Sequence, residues 1–142
     1  MVSSIVIVVD GVPQPQGSKT AYVVNGRAVI AEGTPKSRKK LKAWRAAVRA
    51  VGESFWLSSS GPAMFGGPVI VTTEFRVVRP KSVKRAMPTI KPDLDHYIRS
   101  VGDALTGVIW DDDSQIVEIR ALKVYSPNPG ATITVTPYVA DA

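Results

Sequence analysis

Residues able to do acid, base or metal chemistry are sparse in this chain and crowd into one stretch. Of its 12 acidic residues, six fall between Asp93 and Asp113. They lie in Lys91-Pro92-Asp93-Leu94-Asp95-His96-Tyr97-Ile98-Arg99, in Asp103-Ala104-Leu105 and in Trp110-Asp111-Asp112-Asp113-Ser114-Gln115. In a chain of net charge +6 that concentration asks for a cation. Hard divalent ions such as Mg²⁺ take oxygen ligands, one or two carboxylates with waters and substrate phosphate completing an octahedron. Asp93 and Asp95 stand at a helix start and Asp113 in the turn before the next strand, and a sheet edge is expected to bring them together.

Each acid also has a simpler role. Asp93 or Asp95 suits a helix cap, accepting free amide hydrogens at the positive end of the dipole. Asp111–Asp113 suits a polar turn between a helix and a strand. A calcium EF-hand is excluded, because Ile116 occupies the position that needs glycine. Arg99 lies one turn after Asp95 and Asp103 one turn after Arg99, so the three share a helix face. They form either a surface ion-pair ladder or a device in which Arg99 offsets phosphate charge or stabilises a leaving group, with Asp103 orienting it.

The elements that must position these residues are legible from local patterning. Ser4–Val9 is a β-branched run closed by Asp10-Gly11 and reads as a buried strand. Val12–Ser18, with two prolines and Gly17, is a loop. Tyr22–Val24 and Arg27–Ala31 flank Asn25-Gly26, a pair suited to a type I′ hairpin turn. Thr34 and Pro35 then open a helix running to about Phe55, with Leu41, Trp44, Ala47, Val48 and Val51 on its apolar face. Its other face carries Lys36, Lys39, Lys40, Arg45 and Arg49, which either line a DNA groove or simply face solvent. Ser58–Gly67 is a loop, Val69–Val78 an alternating strand, and Arg79–Pro88 a basic loop holding Lys81, Lys84 and Arg85. Asp95–Leu105 is a second helix, and Ile116–Tyr125 and Thr132–Thr136 are the last strands. This order predicts a single α+β domain over residues 1–142, one mixed β-sheet with two main helices packed on it.

Composition narrows the chemistry. At 142 residues, 44% hydrophobic and 21% charged, the chain is long and apolar enough for a real core. It has no cysteine, which removes disulfides, thiolate nucleophiles and Cys-ligated zinc, and His96 is its sole histidine. The apolar run Ile5–Val9 is too short to cross a bilayer and Met1–Val9 lacks the marks of a signal peptide, so a cytoplasmic location without membrane attachment is expected. The positive charge, with a sequence pI near 9.8, makes nucleic acid the first partner to consider. An RNA-binding domain is disfavoured, because no strand carries paired aromatics for base stacking.

Lys91-Pro92-Asp93-Leu94-Asp95, Asp103-Ala104-Leu105-Thr106-Gly107 and Asp112-Asp113-Ser114-Gln115-Ile116 together resemble the motifs of RusA-type Holliday-junction resolvases. Weaker similarity runs through Gly11–Ser18, Gly26-Arg27 and Ala31-Glu32-Gly33. The resemblance implies a Mg²⁺-dependent endonuclease, with Mn²⁺ expected to substitute, that resolves four-way or other branched DNA by paired symmetric nicks as a homodimer. It implies that Asp93, Asp95 and Asp113 are the catalytic, metal-binding carboxylates. Where such proteins usually have asparagine and lysine, this chain has His96 and Arg99. Arg keeps lysine's charge but not its point-like reach, whereas His96 can donate a hydrogen bond as asparagine would. His96, Asp103 and Asp112 are placed in support of the site, with Arg99 acting beside the carboxylates. Lys81, Lys84, Arg85, Lys91, Lys36, Lys39 and Lys40 are candidate phosphate contacts, which position DNA without reading its sequence. The rival from another class is a non-catalytic branched-DNA-binding protein that keeps the same fold.

Overall fold

The computed structural model describes residues 4–17, 20–31, 33–57 and 64–140. Ser18, Glu32 and most of the Ser58–Gly67 stretch fall outside the described residues. In chain order come β1 (Ile5–Asp10), β2 (Thr20–Val24), β3 (Arg27–Ala31), α1 (Pro35–Leu57), β4 (Val69–Val77), α2 (Leu94–Leu105), β5 (Ile116–Tyr125) and β6 (Gly130–Pro137). A single 3₁₀ turn, Asp113–Gln115, leads into β5.

Four strands form one mixed sheet in the order β1-β6-β4-β5. β6 is antiparallel to both β1 and β4, whereas β4 and β5 are parallel. Parallel neighbours need a crossover, and α2 provides it. The two helices pack on the sheet as expected from the sequence, an α+β arrangement. The hairpin β2–β3 stands apart as a two-stranded ladder rather than joining the sheet. Its turn has Asn25 at φ 51° and Gly26 at φ 75°, the left-handed pair that Asn-Gly favours.

Alternation decides which sheet face is buried. Ile5, Ile7 and Val9 of β1, Val69, Val71 and Phe75 of β4, and Ala131, Ile133 and Val135 of β6 all point to the helices and are buried. Between them Val6 and Val8 of β1 lie exposed on the opposite face. The helices supply Trp44 and Val48 from α1 and Tyr97, Val101, Ala104 and Leu105 from α2. Phe75 stacks on Tyr97 with ring centroids 5.2 Å apart. Each Val, Ile, Leu or Phe among them, once buried, contributes about 1.5–3 kcal/mol relative to exposure. Burial also pushes the Tyr97 hydroxyl above its ordinary pKa, so it stays neutral.

Thr34 caps α1 as its position suggests: its hydroxyl accepts from the Ser37 amide at 3.1 Å while the Ser37 hydroxyl accepts from the Thr34 amide at 2.8 Å. α1 runs two residues past Phe55, to Leu57. Its Gly52 is buried against the end of α2, where an added Cβ would lie 2.9 Å from Leu105 Cδ2 and 3.3 Å from Val108 Cγ1. Gly52→Val overpacks this contact and is expected to cost about 1–3 kcal/mol, a fall in Tm on the order of 3–10 °C. Thermal denaturation followed by circular dichroism checks this, and an unchanged Tm would show that the helices do not meet there.

Candidate nuclease site

α2 turns Tyr97, Val101, Ala104 and Leu105 to the core, which leaves Asp93, Asp95, His96, Arg99 and Asp103 along its outer side. The helix starts at Leu94, one residue before the expected Asp95, so Asp93 is the N-cap residue. Its backbone carbonyl accepts from the amides of His96 and Tyr97, but its carboxylate makes no capping hydrogen bond. The simpler role for Asp93 is therefore not the one its side chain takes. That carboxylate is left exposed at the helix mouth, where the dipole favours negative charge.

Ligand atoms of Asp93, Asp95 and His96 lie within 4.8 Å of one another, and His96 Nε2 is 3.9 Å from Asp95 Oδ2. Two exposed carboxylates at this spacing suit a hard divalent ion. The imidazole beside them, 32% exposed, is placed to hydrogen-bond a water or a phosphate oxygen. Among the described residues the ion-pair ladder does not form: neither Asp95 nor Asp103 makes a salt bridge to Arg99. Arg99 is exposed.

Asp103 has another partner. Gln16, buried in the loop after β1, donates from Nε2 to Asp103 Oδ2 and accepts from Arg45 at 2.8 Å, while its amide donates to the His96 carbonyl at 3.0 Å. Nothing in the sequence marks Gln16, since a glutamine between Pro15 and Gly17 in a loop shows no periodicity. Arg45 and Arg49 are held within the fold. Arg45 meets Gln16, and Arg49 pairs with Glu53 at 3.1 Å and reaches the carbonyls of Ala104 and Thr106. Lys36, Lys39 and Lys40 do stay exposed, on the first turns of α1, a helix with no acid in its first turn.

The loop from β4 to α2 carries Lys81, Lys84, Arg85 and Lys91, all exposed, and it is tied to the far end of β5. Lys123 Nζ donates to the carbonyls of Ile90 at 2.8 Å and Pro92 at 2.9 Å, and Arg85 donates to the Tyr125 hydroxyl at 3.2 Å. Lys123 thus anchors the residues just before Asp93, a role that only the folded chain reveals.

The sequence reading expected Asp113 to meet Asp93 and Asp95 at a sheet edge, and within one chain it does not. α2 and β5 run in opposite directions. From Asp93 the chain travels the length of α2, about 18 Å at 1.5 Å per residue, before turning. Asp113 then opens β5 at one end while Lys123, beside Asp93, stands near the other, on the order of 20 Å along the strand.

The turn around Asp113 is nonetheless built closely. Gln115 accepts from the amides of Asp111 and Asp112 at 2.9 and 3.1 Å and donates to the carbonyls of Phe65 and Gly67, each at 2.9 Å. Asp112 caps the turn by accepting from the Ser114 amide at 2.9 Å. That amide, followed by the Ser114 hydroxyl, holds the Asp112 carboxyl below the usual carboxylate range. Asp112 thus caps the turn, and Asp113 stands exposed at its first position.

Comparison with known proteins bears on this arrangement. The uncharacterized protein YqaN of Bacillus subtilis (strain 168) is 29% identical over 137 residues, covering 88% of this chain and 90% of its own length. A family model described as endodeoxyribonuclease RusA matches residues 10–136, a span that takes in the aspartates of α2 and of the turn before β5, and the chain belongs to that family.

Proposed function

We propose that this protein is a Mg²⁺-dependent endodeoxyribonuclease that resolves four-way and other branched DNA by paired symmetric nicks, as a homodimer acting in recombination and repair. Acting on cellular DNA, it is expected in the cytoplasm; among the described residues no helix is long and apolar enough to cross a membrane. The observation that carries the reading is the uncapped, exposed pair Asp93 and Asp95 beside His96, set against a basic loop in a chain of net charge +6. Carboxylates left in water at the mouth of a polyanion-binding surface repel the substrate unless a cation intervenes.

In the homodimer, Asp93 and Asp95 of one copy together with Asp113 of the other would hold Mg²⁺ or Mn²⁺, which when bound supplies an activated water and offsets charge on the scissile phosphate. His96 orients a water or a phosphate oxygen by hydrogen bonding. Arg99, one turn along α2 and outside any ion pair of the described residues, offsets the negative charge that develops on the leaving oxygen. Lys81, Lys84, Arg85 and Lys91 grip phosphates beside the acids, and Lys36, Lys39 and Lys40 extend the positive surface along α1. Three lysines on the first turns of that helix oppose its dipole, so phosphate binding there relieves an unfavourable field. None of these contacts reads base identity, which suits a protein that selects DNA by branching.

Asp93→Asn, Asp95→Asn and Asp113→Asn are each expected to reduce cutting of a synthetic junction by roughly two orders of magnitude or more, with binding kept within a few-fold. The amides keep shape and lose the charge that holds the ion. Gel assays with Mg²⁺ and with EDTA check this, and full cutting by all three variants would refute the site. Binding without any cutting by the wild-type protein would instead favour a non-catalytic branched-DNA-binding role. Affinity should also fall steeply with salt, with a log–log slope of about −0.9 per phosphate contact on duplex arms. An affinity that stays flat between low and moderate salt would remove the basic surface as the main contact.

A further inference from the structure

We propose that the cavity beneath the basic loop, next to the acids of α2, receives a single unstacked nucleobase of the bound DNA and so lets the protein tell a branch point from intact duplex. The proposal deepens the nuclease reading and rests on it for the identity of the polymer. Its first ground is position. The cavity, about 270 Å³, lies between the loop that leads into α2, the end of β5 and the first turn of α2. Pro92, which lines it, is the residue before Asp93. Successive Cα atoms are about 3.8 Å apart across a trans peptide, and charges along one DNA strand are spaced by about 3.4 Å. A strand whose phosphate sits at the acids therefore has a base within a nucleotide step of the cavity.

The second ground is the lining. Val12, Pro88, Ile90, Pro92 and the ring of Tyr125 make it largely apolar, and flat ring faces of this kind suit a heterocycle. Its size falls just below the roughly 300–1,000 Å³ of sites for drug-sized ligands, which leaves room for one base and not for a base pair. Tyr97 lines the same cavity and is only 2% exposed. Its ring is stacked on Phe75, yet its hydroxyl has no hydrogen bond among the described residues. A buried phenol usually finds a partner, and it can donate to a base carbonyl or ring nitrogen or accept from an amino group.

The third ground is charge complementarity. No carboxylate lines the cavity, whereas Lys91 and Lys123 both do. Lys91 is exposed, and Lys123 spends two of its three donors on the carbonyls of Ile90 and Pro92, which leaves one. Cations there suit the phosphates that flank an inserted base. Extruding a base from intact duplex costs both its pairing and its stacking, and the cost falls where one of these is already lost. Beside a crossover a base lacks a continuous stack on one side, so the same cavity favours branched DNA over linear DNA, a distinction that phosphate contacts alone do not make.

Two experiments decide the matter. In the first, 5-iododeoxyuridine is placed beside the crossover of a synthetic four-way junction, the wild-type protein is bound in Ca²⁺ in place of Mg²⁺, and the irradiated complex is digested and read by mass spectrometry. Crosslinks to Tyr97 or Tyr125 are expected from the junction and only weakly from a linear duplex of the same sequence; crosslinks elsewhere alone, or equal crosslinking from both DNAs, overturn the proposal. The second compares affinities for junction and duplex. Tyr97→Phe keeps the ring on Phe75 and removes one hydrogen bond, which is expected to lower the ratio of junction to duplex affinity about two- to tenfold. Val12→Met, at a rim position that is 59% exposed, fills the cavity without adding a ring on which a base could stack, and is expected to lower that ratio about fivefold or more and to suppress the crosslink. A merely structural role lowers both affinities together and leaves the ratio unchanged, which overturns the proposal. So does a Val12→Met protein that sediments differently and keeps the ratio, since a second copy of the chain then covers the cavity. Junction cutting in Mg²⁺ without crosslinks in the cavity removes the base site and spares the nuclease reading, whereas branch-selective crosslinking without cutting does the reverse. A protein that binds no branched DNA removes both.

Discussion

The parallel pairing of β4 with β5 is the constraint on which the rest of the structure depends. Two parallel neighbours oblige the intervening chain to travel back the full length of the sheet before the second strand begins. Here the returning segment is α2, held down by the stack of Tyr97 on Phe75 and by Val101, Ala104 and Leu105. Whatever precedes α2 lies at one end of the sheet and whatever follows it at the other. The acids of the 91–115 stretch are neighbours in sequence and are divided in space by this single topological fact.

Each divided half is then set with a different kind of support. At the start of α2, Lys123 holds the backbone before Asp93 from β5, while Gln16 holds the His96 carbonyl from the loop after β1. At the start of β5, Gln115 ties the Asp111–Asp113 turn to the strand entry at Phe65 and Gly67. In both places amides or an ammonium do the positioning, and the carboxylates that carry the chemistry stay in solvent. That division of labour leaves the acids open to solvent, since none of Asp93, Asp95 and Asp113 is buried.

Much of this was legible in the sequence because local physics dominates locally. β-branched alternation marked β1 and β4, Asn25-Gly26 marked the hairpin, and Thr34-Pro35 marked the start of α1, each with its own stereochemical reason. The acidic block stood out because six of 12 acids occupy one short stretch of a basic chain. What spacing along a chain does not carry is direction in space, so the sequence alone placed Asp113 with Asp93 and Asp95 when α2 sets them apart. Nor does helical periodicity say where a long side chain ends: Arg45 and Arg49 share the outward face with the lysines, yet their guanidinium groups bend back to Gln16 and to the carbonyls of Ala104 and Thr106. Leu94 opens α2 one residue early for a related reason, since a backbone carbonyl starts a helix whatever the side chain of the N-cap residue does.

Gln16 has a consequence of a mechanical kind. Its carboxamide offers one donor end and one acceptor end, and these face an anion on α2 and a cation on α1. A carboxylate there would confront Asp103 with a like charge, and an ammonium would do the same to Arg45, so a neutral dipole is the group that satisfies both neighbours at once. Lifting the proline-rich loop away from the helices strands two ionised groups together with a backbone carbonyl, all in one step. Loop, α1 and the outer side of α2 are therefore tied together at one residue, whose own backbone amide also holds the His96 carbonyl.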